Sequence, residues 1–310
     1  MHIVLLCATD RGLQFLGKLV ALLPADARLT VVSFREDPVE PPFLDAVRSA
    51  AAAVGADFLE TRNVAGTAMT EFWSGATVDL MFAVSWRYMI PREIYVRPRF
   101  GSYVFHDSLL PAYRGFAPTV WAIANGEDRT GVSLFRISED VDAGDVIAQR
   151  PIAIGPDDTI SAVMSVVTQA YLQLLEGNFA ALASGAATAR PQDHSAASYT
   201  CKRLPADNTI DWASGTTRIY NLIRAVGRPY SGAITGLAAR PLIVWAAERL
   251  SSAKPYVGRV PGRVVEVLPG RGSVVLTGDG SLLLTRVEME GAGEVCAAEV
   301  LDSISMTLGR

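Results

Sequence analysis

The sequence predicts an α/β protein in which a doubly wound parallel sheet is followed by a small β-barrel domain. Three observations predict it. Short apolar runs such as His2 to Cys7 and Val78 to Ser85 (VDLMFAVS) suit strands buried on both faces. Stretches with apolar residues at helical spacing alternate with them, the arrangement expected of parallel strands joined by crossover helices. Past residue 205 the pattern changes to five short β-like runs separated by Gly and Pro turns.

In chain order, His2 to Cys7 is the first strand and Gly12 to Leu23 the first helix, ended by Pro24. Leu29 to Phe34 repeats the strand signal, Phe43 to Val54 reads as a helix, Asp57 to Glu60 as a strand and Gly66 to Ser74 as a helix. Val78 to Ser85 is the clearest interior strand, and the aromatic, Met-rich loop Trp86 to Pro91 (WRYMIP) follows its C-terminal end. Gly101 to His106 is the next strand, Pro118 to Ala124 opens a helix on a proline, and Gly131 to Ile137 is a strand. Ser161 to Leu182 reads as a long amphipathic helix with a stripe of Val163, Val166, Val167, Ala170, Leu172 and Leu175. The Ala/Ser/Thr-rich stretch from Ala183 to Ser198 is a linker, and the domain boundary falls near residue 205, giving domains 1–204 and 205–310. The second holds a helix at Thr216 to Ala225 and strands at Ala233 to Leu237, Leu242 to Ala246, Gly262 to Val267, Ser273 to Leu276 and Leu282 to Glu288, a count that suits an OB-like β-barrel.

Composition narrows the function classes. At 310 residues, half of them hydrophobic, the chain can fill one large or two ordinary cores. The runs His2 to Thr9 and Leu16 to Leu23 are broken by Asp10, Arg11 and Lys18 and stay below the roughly 20 apolar residues that span a bilayer, so no membrane span is expected. The N-terminus lacks a basic region and a cleavage pattern, which makes a buried strand the reading there. Three distant cysteines, Cys7, Cys201 and Cys296, imply a reducing, cytoplasmic compartment. A net charge of -4 argues against a protein built mainly to hold nucleic acid. The turn Ala8 to Gly12 carries neither a dinucleotide nor a triphosphate glycine motif.

The unusual chemistry lies between Gly101 and Gln149. Of the histidines His2, His106 and His194, only His106 ends a β-like run and opens a loop, where α/β proteins place their sites. His106 to Gly115 reads HDSLLPAYRG, and a later glycine loop brings Asp142-Ala143-Gly144-Asp145. An imidazole oriented by a carboxylate suits proton traffic on an amine. Asp140 and Asp145 flank Asp142 in an acidic loop that carries no histidine of its own, a pattern of solvated or capping acids, so no metal is assigned.

At these residues the sequence resembles the folate-dependent formyltransferase family, whose pattern places an N-x-H ahead of an S-L-L-P-x-[YW]-R-G loop, followed by a T-G-V strand and a D-x-G loop. Here these are His106, Ser108 to Gly115, Thr130-Gly131-Val132 and Asp142-Ala143-Gly144. Ile210 to Trp212, Ile223 to Ala225 and Arg228 to Ala233 extend the likeness into the second domain, as in methionyl-tRNA formyltransferases and sugar-amine formyltransferases. The resemblance implies a Rossmann-like first domain, an OB-like second domain, and formyl transfer from the co-substrate 10-formyltetrahydrofolate to a primary amine. It implies that His106 binds or protonates the developing oxyanion and that Asp142 orients His106. It places the pterin beside Trp86, Tyr88, Met89 and Ile90, with backbone contacts reaching Glu139 and Asp140. Asp107, Ser108, Leu110, Pro111, Tyr113, Arg114 and Gly115 are then substrate or loop-shaping positions, Arg114 as a structural residue. One position departs from the pattern: the Asn two residues before the His is Val104 here. An oxyanion donor of that kind is worth about 10²- to 10³-fold in rate, and Val has none. Asp107, a backbone N–H, or an unusually reactive nucleophile are candidate compensations.

The acceptor expected is a small-molecule amine, first a nucleotide-linked amino sugar, because PTVWAIANGE (Pro118 to Glu127) is similar to the helix after the R-G loop of the sugar-amine enzymes. A hydroxylated ornithine is an alternative. A tRNA acceptor is disfavoured, since Arg35 to Phe43 (REDPVEPPF), where the tRNA enzymes carry a basic insertion, is acidic and would repel phosphate. A third reading, prompted by Val104, is a folate-binding protein with a degraded site. The oligomeric state stays open, with a homodimer among the candidates.

Overall fold

All six residues of β1 (His2–Cys7) are buried, because the strand lies in the middle of a sheet covered on both faces. The computed structural model describes residues 1–38, 40–252 and 254–309, so Val39, within the acidic 35–43 segment, lies outside the described residues. After β1 come α1 (Thr9–Leu22), β2 (Arg28–Ser33), α2 (Leu44–Ala53), β3 (Asp57–Glu60), α3 (Thr67–Gly75), β4 (Leu80–Val84), α4 (Arg92–Tyr95) and β5 (Ser102–His106). Then follow β6 (Arg114–Gly115), α5 (Pro118–Asn125), β7 (Arg129–Arg136), β8 (Val146–Ala153), α6 (Ile160–Ala183) and β9 (Tyr199–Thr200). The chain ends with α7 (Thr216–Val226), β10 (Ala233–Leu237), β11 (Arg240–Arg249), β12 (Val264–Leu268), β13 (Gly272–Leu276), β14 (Ser281–Met289), β15 (Glu294–Cys296) and α8 (Ala297–Val300).

The chain divides into two compact units. The first comprises residues 1–115, 130–152 and 165–200, and the second residues 116–129, 153–164 and 201–310. The first unit is organised on a seven-stranded sheet of order β3-β2-β1-β4-β5-β7-β8, the doubly wound sheet that the alternating strand and helix patterns predict, in the Rossmann-like order that the resemblance implies. Its first five strands pair in parallel. Beyond them β7 runs antiparallel to β5, with Val104 opposite Phe135 and His106 opposite Ser133, so the sheet is mixed rather than wholly parallel.

Several boundaries differ from the periodicity reading for local reasons. Helix α1 begins at Thr9, so Arg11 and Gly12 are buried in its first turn rather than lying in a loop. A Cβ on Gly12 would come within 3.0 Å of Cys7 Cβ, which is why the helix can dock closely on the strand. The short α4 and the strand β8 carry no periodic signal long enough to announce them. On α6 the buried stripe includes Tyr171 and Leu174, whereas Val166 is 52% exposed, contrary to the expected stripe. Tyr171 is held inside with its hydroxyl oxygen 2.9 Å from Phe105 O.

The second unit carries a six-stranded antiparallel sheet of order β10-β11-β14-β13-β12, with β15 on β14, one strand more than the turn pattern suggests. Leu242, Val244, Val275 and Leu282 to Leu284 are its apolar centre, and Trp212 is buried there with its indole N–H donating to Thr235 Oγ1 at 2.9 Å. Among the described residues no helix is long and apolar enough to cross a membrane, and no cluster of His, Cys, Asp and Glu forms a metal-binding group.

Candidate functional site

The strand order runs outward from β1 to β3 and then returns to β4, which makes the crevice between the C-terminal ends of β1 and β4 the switch point where α/β folds take ligands. Thr9 and Ser85, the residues leaving those two ends, both have left-handed backbones, with φ of 65° and 53°, and their hydroxyls meet at 3.3 Å. The loop after β4 and the end of β5 lie at this edge, so His106 is delivered there by the sheet.

His106 is 8% exposed and held through both ring nitrogens. Nε2 donates to the Tyr113 carbonyl at 2.8 Å, and Nδ1 stands 3.5 Å from Asp142 Oδ2. A neutral ring has one N–H and can donate to one of these acceptors, whereas the imidazolium donates to both. Asp142 Oδ2 also accepts the Gly115 N–H at 2.8 Å. Both residues that hold the ring have left-handed backbones, φ 59° at Tyr113 and 50° at Asp142. Each such conformation costs on the order of 1–3 kcal/mol and concentrates at functional sites.

The two loops meet through glycines. Gly115 has φ +107°, and a Cβ there would lie 2.5 Å from Thr200 O, across the β6–β9 pairing. A Cβ on Gly144 would lie 1.8 Å from Arg136 O, so the turn carrying Asp142 closes only on glycine. The intervening segment is fixed by hydroxyls. Ser108 Oγ donates to Ala112 O at 2.7 Å, Ser133 Oγ donates to Ser108 O at 2.7 Å, and Leu110 N–H donates to Ser133 Oγ at 3.0 Å ahead of a cis Leu110–Pro111 bond. Arg114 is 2% exposed and spans Gln192, Tyr199 and His194.

Asp107 points elsewhere. Arg11 Nη1 donates to both of its oxygens at 2.8 Å, and the Tyr171 hydroxyl donates to Oδ1. Burial by itself would raise the Asp107 carboxyl, but the Arg11 charge and the Tyr171 hydroxyl outweigh it and hold it below the ordinary range. Burial and the Asp107 charge push the Tyr171 phenol well above its usual value. Arg11 and Tyr171 carry no motif signal, and they lie 96 and 64 residues from Asp107 in the chain. Val104 shares the His106 face of β5, two residues back. It packs on Leu110, Phe135 and Val146 and, like Trp86 and Ile90, against the buried cluster that includes Leu6, Met81 and Ala83, an apolar seat with no donor of its own.

The loop after β4 packs on Phe34, whose ring lies 5.3 Å from Trp86 and 4.9 Å from Tyr88. Met89 is 70% exposed, Ile90 is half-buried, and the buried Trp86 Nε1 has no hydrogen-bond partner among the described residues. Glu139 and Asp140 are exposed at the start of the turn that carries Asp142. The acidic residues of the 35–43 segment are engaged: Glu36 Oε2 accepts the Phe43 and Leu44 N–H groups, Asp37 pairs with Arg62, and Glu40 pairs with Arg87.

The sequence matches the family model of the formyl transferase domain over residues 5–176 and that of the formyl transferase C-terminal domain over residues 204–305. Among solved structures the chain is similar to WlaRD, a sugar 3N-formyl transferase determined in the presence of dTDP and 5-N-formyl-THF, at 16% identity and a TM-score of 0.70, covering 94% of this chain and 98% of that one. It is also similar to an N-formyltransferase from Helicobacter canadensis in complex with folinic acid and dTDP-3-aminofucose, at 15% identity and TM-score 0.70, covering 95% and 99%. HypX from Aquifex aeolicus, in complex with tetrahydrofolic acid, matches at 20% identity and TM-score 0.64 over 96% of this chain and 46% of that one, so the chain spans about half of HypX. These likenesses show a shared fold, and the two domain matches, which take in the His106 loop, the Asp142 turn and the antiparallel sheet, go further: the chain belongs to the formyl transferase family.

Proposed function

We propose that the protein is an N-formyltransferase that moves a formyl group from 10-formyltetrahydrofolate to the amine of a small molecule, with a nucleotide-linked amino sugar as the leading acceptor. The observation that carries this reading is His106, set at the end of β5 between the Tyr113 carbonyl and the Asp142 carboxylate. The acceptor amine attacks the formyl carbon, a new C–N bond forms, and the carbonyl oxygen gains negative charge. Protonated His106 donates to that oxygen by turning its Nε2–H from the Tyr113 carbonyl to the oxyanion, while Asp142 stays beside Nδ1. As the tetrahedral centre collapses, the bond to the folate nitrogen breaks, and a proton lost by the attacking amine is delivered to that nitrogen. The products are a formamide and tetrahydrofolate.

The chain's residues suit a flat heterocycle beside the loop after β4. Trp86, Tyr88, Met89 and Ile90 supply apolar surface, the unpartnered Trp86 Nε1 supplies a donor, and the turn at Glu139 and Asp140 supplies backbone groups. On this reading residues 1–204 carry catalysis, residues 205–310 form an OB-like domain, and the enzyme works in the cytoplasm. The sugar-nucleotide acceptor rests on the Pro118 to Glu127 helix sequence and on the two sugar-enzyme likenesses. Val104 favours a second reading, a folate-binding protein whose site has lost its oxyanion donor. Calorimetric titration with 5-formyltetrahydrofolate and a mass-shift screen of dTDP-amino sugars, hydroxyornithine and methionyl-tRNA separate the two. Binding with formylation of a small amine supports the first, and binding with no formylated product supports the second.

A further inference from the structure

Gln192 lies between the two family-matched regions, which stop at residue 176 and resume at 204. In the sequence it belongs to a polar linker, yet it is only 7% exposed. Both ends of its amide are used. Nε2 donates to the carbonyls of Asp142 at 2.9 Å and Gly144 at 2.7 Å, the two residues that flank Ala143 in the turn. Oε1 accepts Arg114 Nε at 3.2 Å and Nη2 at 2.7 Å. The guanidinium is fixed in turn by Tyr199 OH at 3.2 Å and His194 Nδ1 at 3.1 Å, and it makes no ion pair among the described residues.

The Arg114-Gly115 pair therefore reaches Asp142 twice. Gly115 donates its N–H to the carboxylate, and the Arg114 side chain, through Gln192, fixes the peptide groups that aim that carboxylate. A primary amide can accept from a guanidinium at its oxygen and donate to two carbonyls from its nitrogen. Ionised glutamate only accepts and lysine only donates. We propose that Gln192, braced by Arg114, is a positioning residue for formyl transfer: it sets the left-handed Asp142 backbone so that the carboxylate meets His106. The proposal rests on the roles given to His106 and Asp142 above.

The test uses the full chain carrying Gln192→Glu and, should that variant melt early, Gln192→Ala, each also in an Asp142→Asn background. Glutamate keeps the Arg114 contact and turns two donor bonds into oxygen–oxygen repulsion. With 10-formyltetrahydrofolate and dTDP-3-aminofucose as substrates, kcat is expected to fall about 10²-fold, the cost of misplacing a catalytic group by an ångström, while KM for the folate stays close to wild type. In the Asp142→Asn background the same change should add no further loss, which a merely structural residue would not reproduce. Wild-type turnover in the Gln192 variants, or an equal loss in both backgrounds, overturns the proposal. Amide hydrogen exchange over residues 138–145 decides the matter independently of the acceptor. Faster exchange there in the Gln192 variants supports the clamp, and unchanged exchange overturns it. Wild-type turnover in Asp142→Asn alone contradicts the functional reading, leaving the exchange result to judge Gln192.

Discussion

His106 Nδ1 and Asp142 Oδ2 stand 3.5 Å apart, and the same carboxylate oxygen accepts the Gly115 N–H at 2.8 Å. The acid is thus tied to the R-G loop as well as to the ring. Asp142→Asn should therefore lower turnover by at least about 10²-fold, as should His106→Ala, with circular dichroism unchanged. Near-normal turnover in either variant would remove that residue from the mechanism.

Val104 occupies an apolar seat among Leu110, Phe135 and Val146. Val104→Asn buries an amide there and is expected to lower unfolding stability by about 1–3 kcal/mol in a denaturant titration. Unchanged stability would show that the amide finds partners. Turnover in the same variant tells which role the position plays: a faster enzyme identifies the amide as a missing oxyanion donor, and a slower one shows a pocket rebuilt around valine.

Asp107 and Arg11 form a largely buried pair, with side chains 17% and 9% exposed. Asp107→Asn should cost about 3–5 kcal/mol, because it removes the carboxylate charge that faces a buried guanidinium. The acid limb of stability should change with it. The folded carboxyl lies below its unfolded value, so the folded state binds fewer protons. The pair's contribution is full above about pH 4 and is lost as pH falls through the lower folded value. Melting temperature against pH should accordingly drop more gently below pH 4 in Asp107→Asn than in wild type, and parallel curves would contradict the assignment.

The three thiols differ in environment. Cys7 is fully buried in β1, which pushes its thiol up to about 12, while Cys201 is exposed. A thiolate-seeking aromatic disulfide at neutral pH should label Cys201 rapidly and Cys7 only after unfolding. Labelling of Cys7 in the native protein at a comparable rate would mean that the first strand opens readily.

Much of this architecture could be read from residue patterns. The apolar runs at β1, β4 and β5 located the sheet, and the HDSLLPAYRG and D-x-G signals marked the two loops that the structure brings together at His106 and Asp142. What could not be read depends on direction or distance. An apolar run does not reveal that β7 pairs antiparallel with β5. Tyr171 looks like one residue of a helical stripe until its hydroxyl is seen on Asp107, and Gln192 looks like linker until its amide is seen on the Asp142 turn 50 residues earlier. The 116–129 and 153–164 segments join the second unit through contacts distant in sequence, which composition cannot register.

The most direct test of formyl transfer through His106 is the rate at which wild-type and His106→Ala proteins convert an amine to its formamide with 10-formyltetrahydrofolate, followed by mass spectrometry on a panel led by dTDP-3-aminofucose. Formamide produced by wild type and reduced at least about 10²-fold by His106→Ala is the result expected. Folate binding by wild type with no amine formylated, or equal rates for the two proteins, would contradict it.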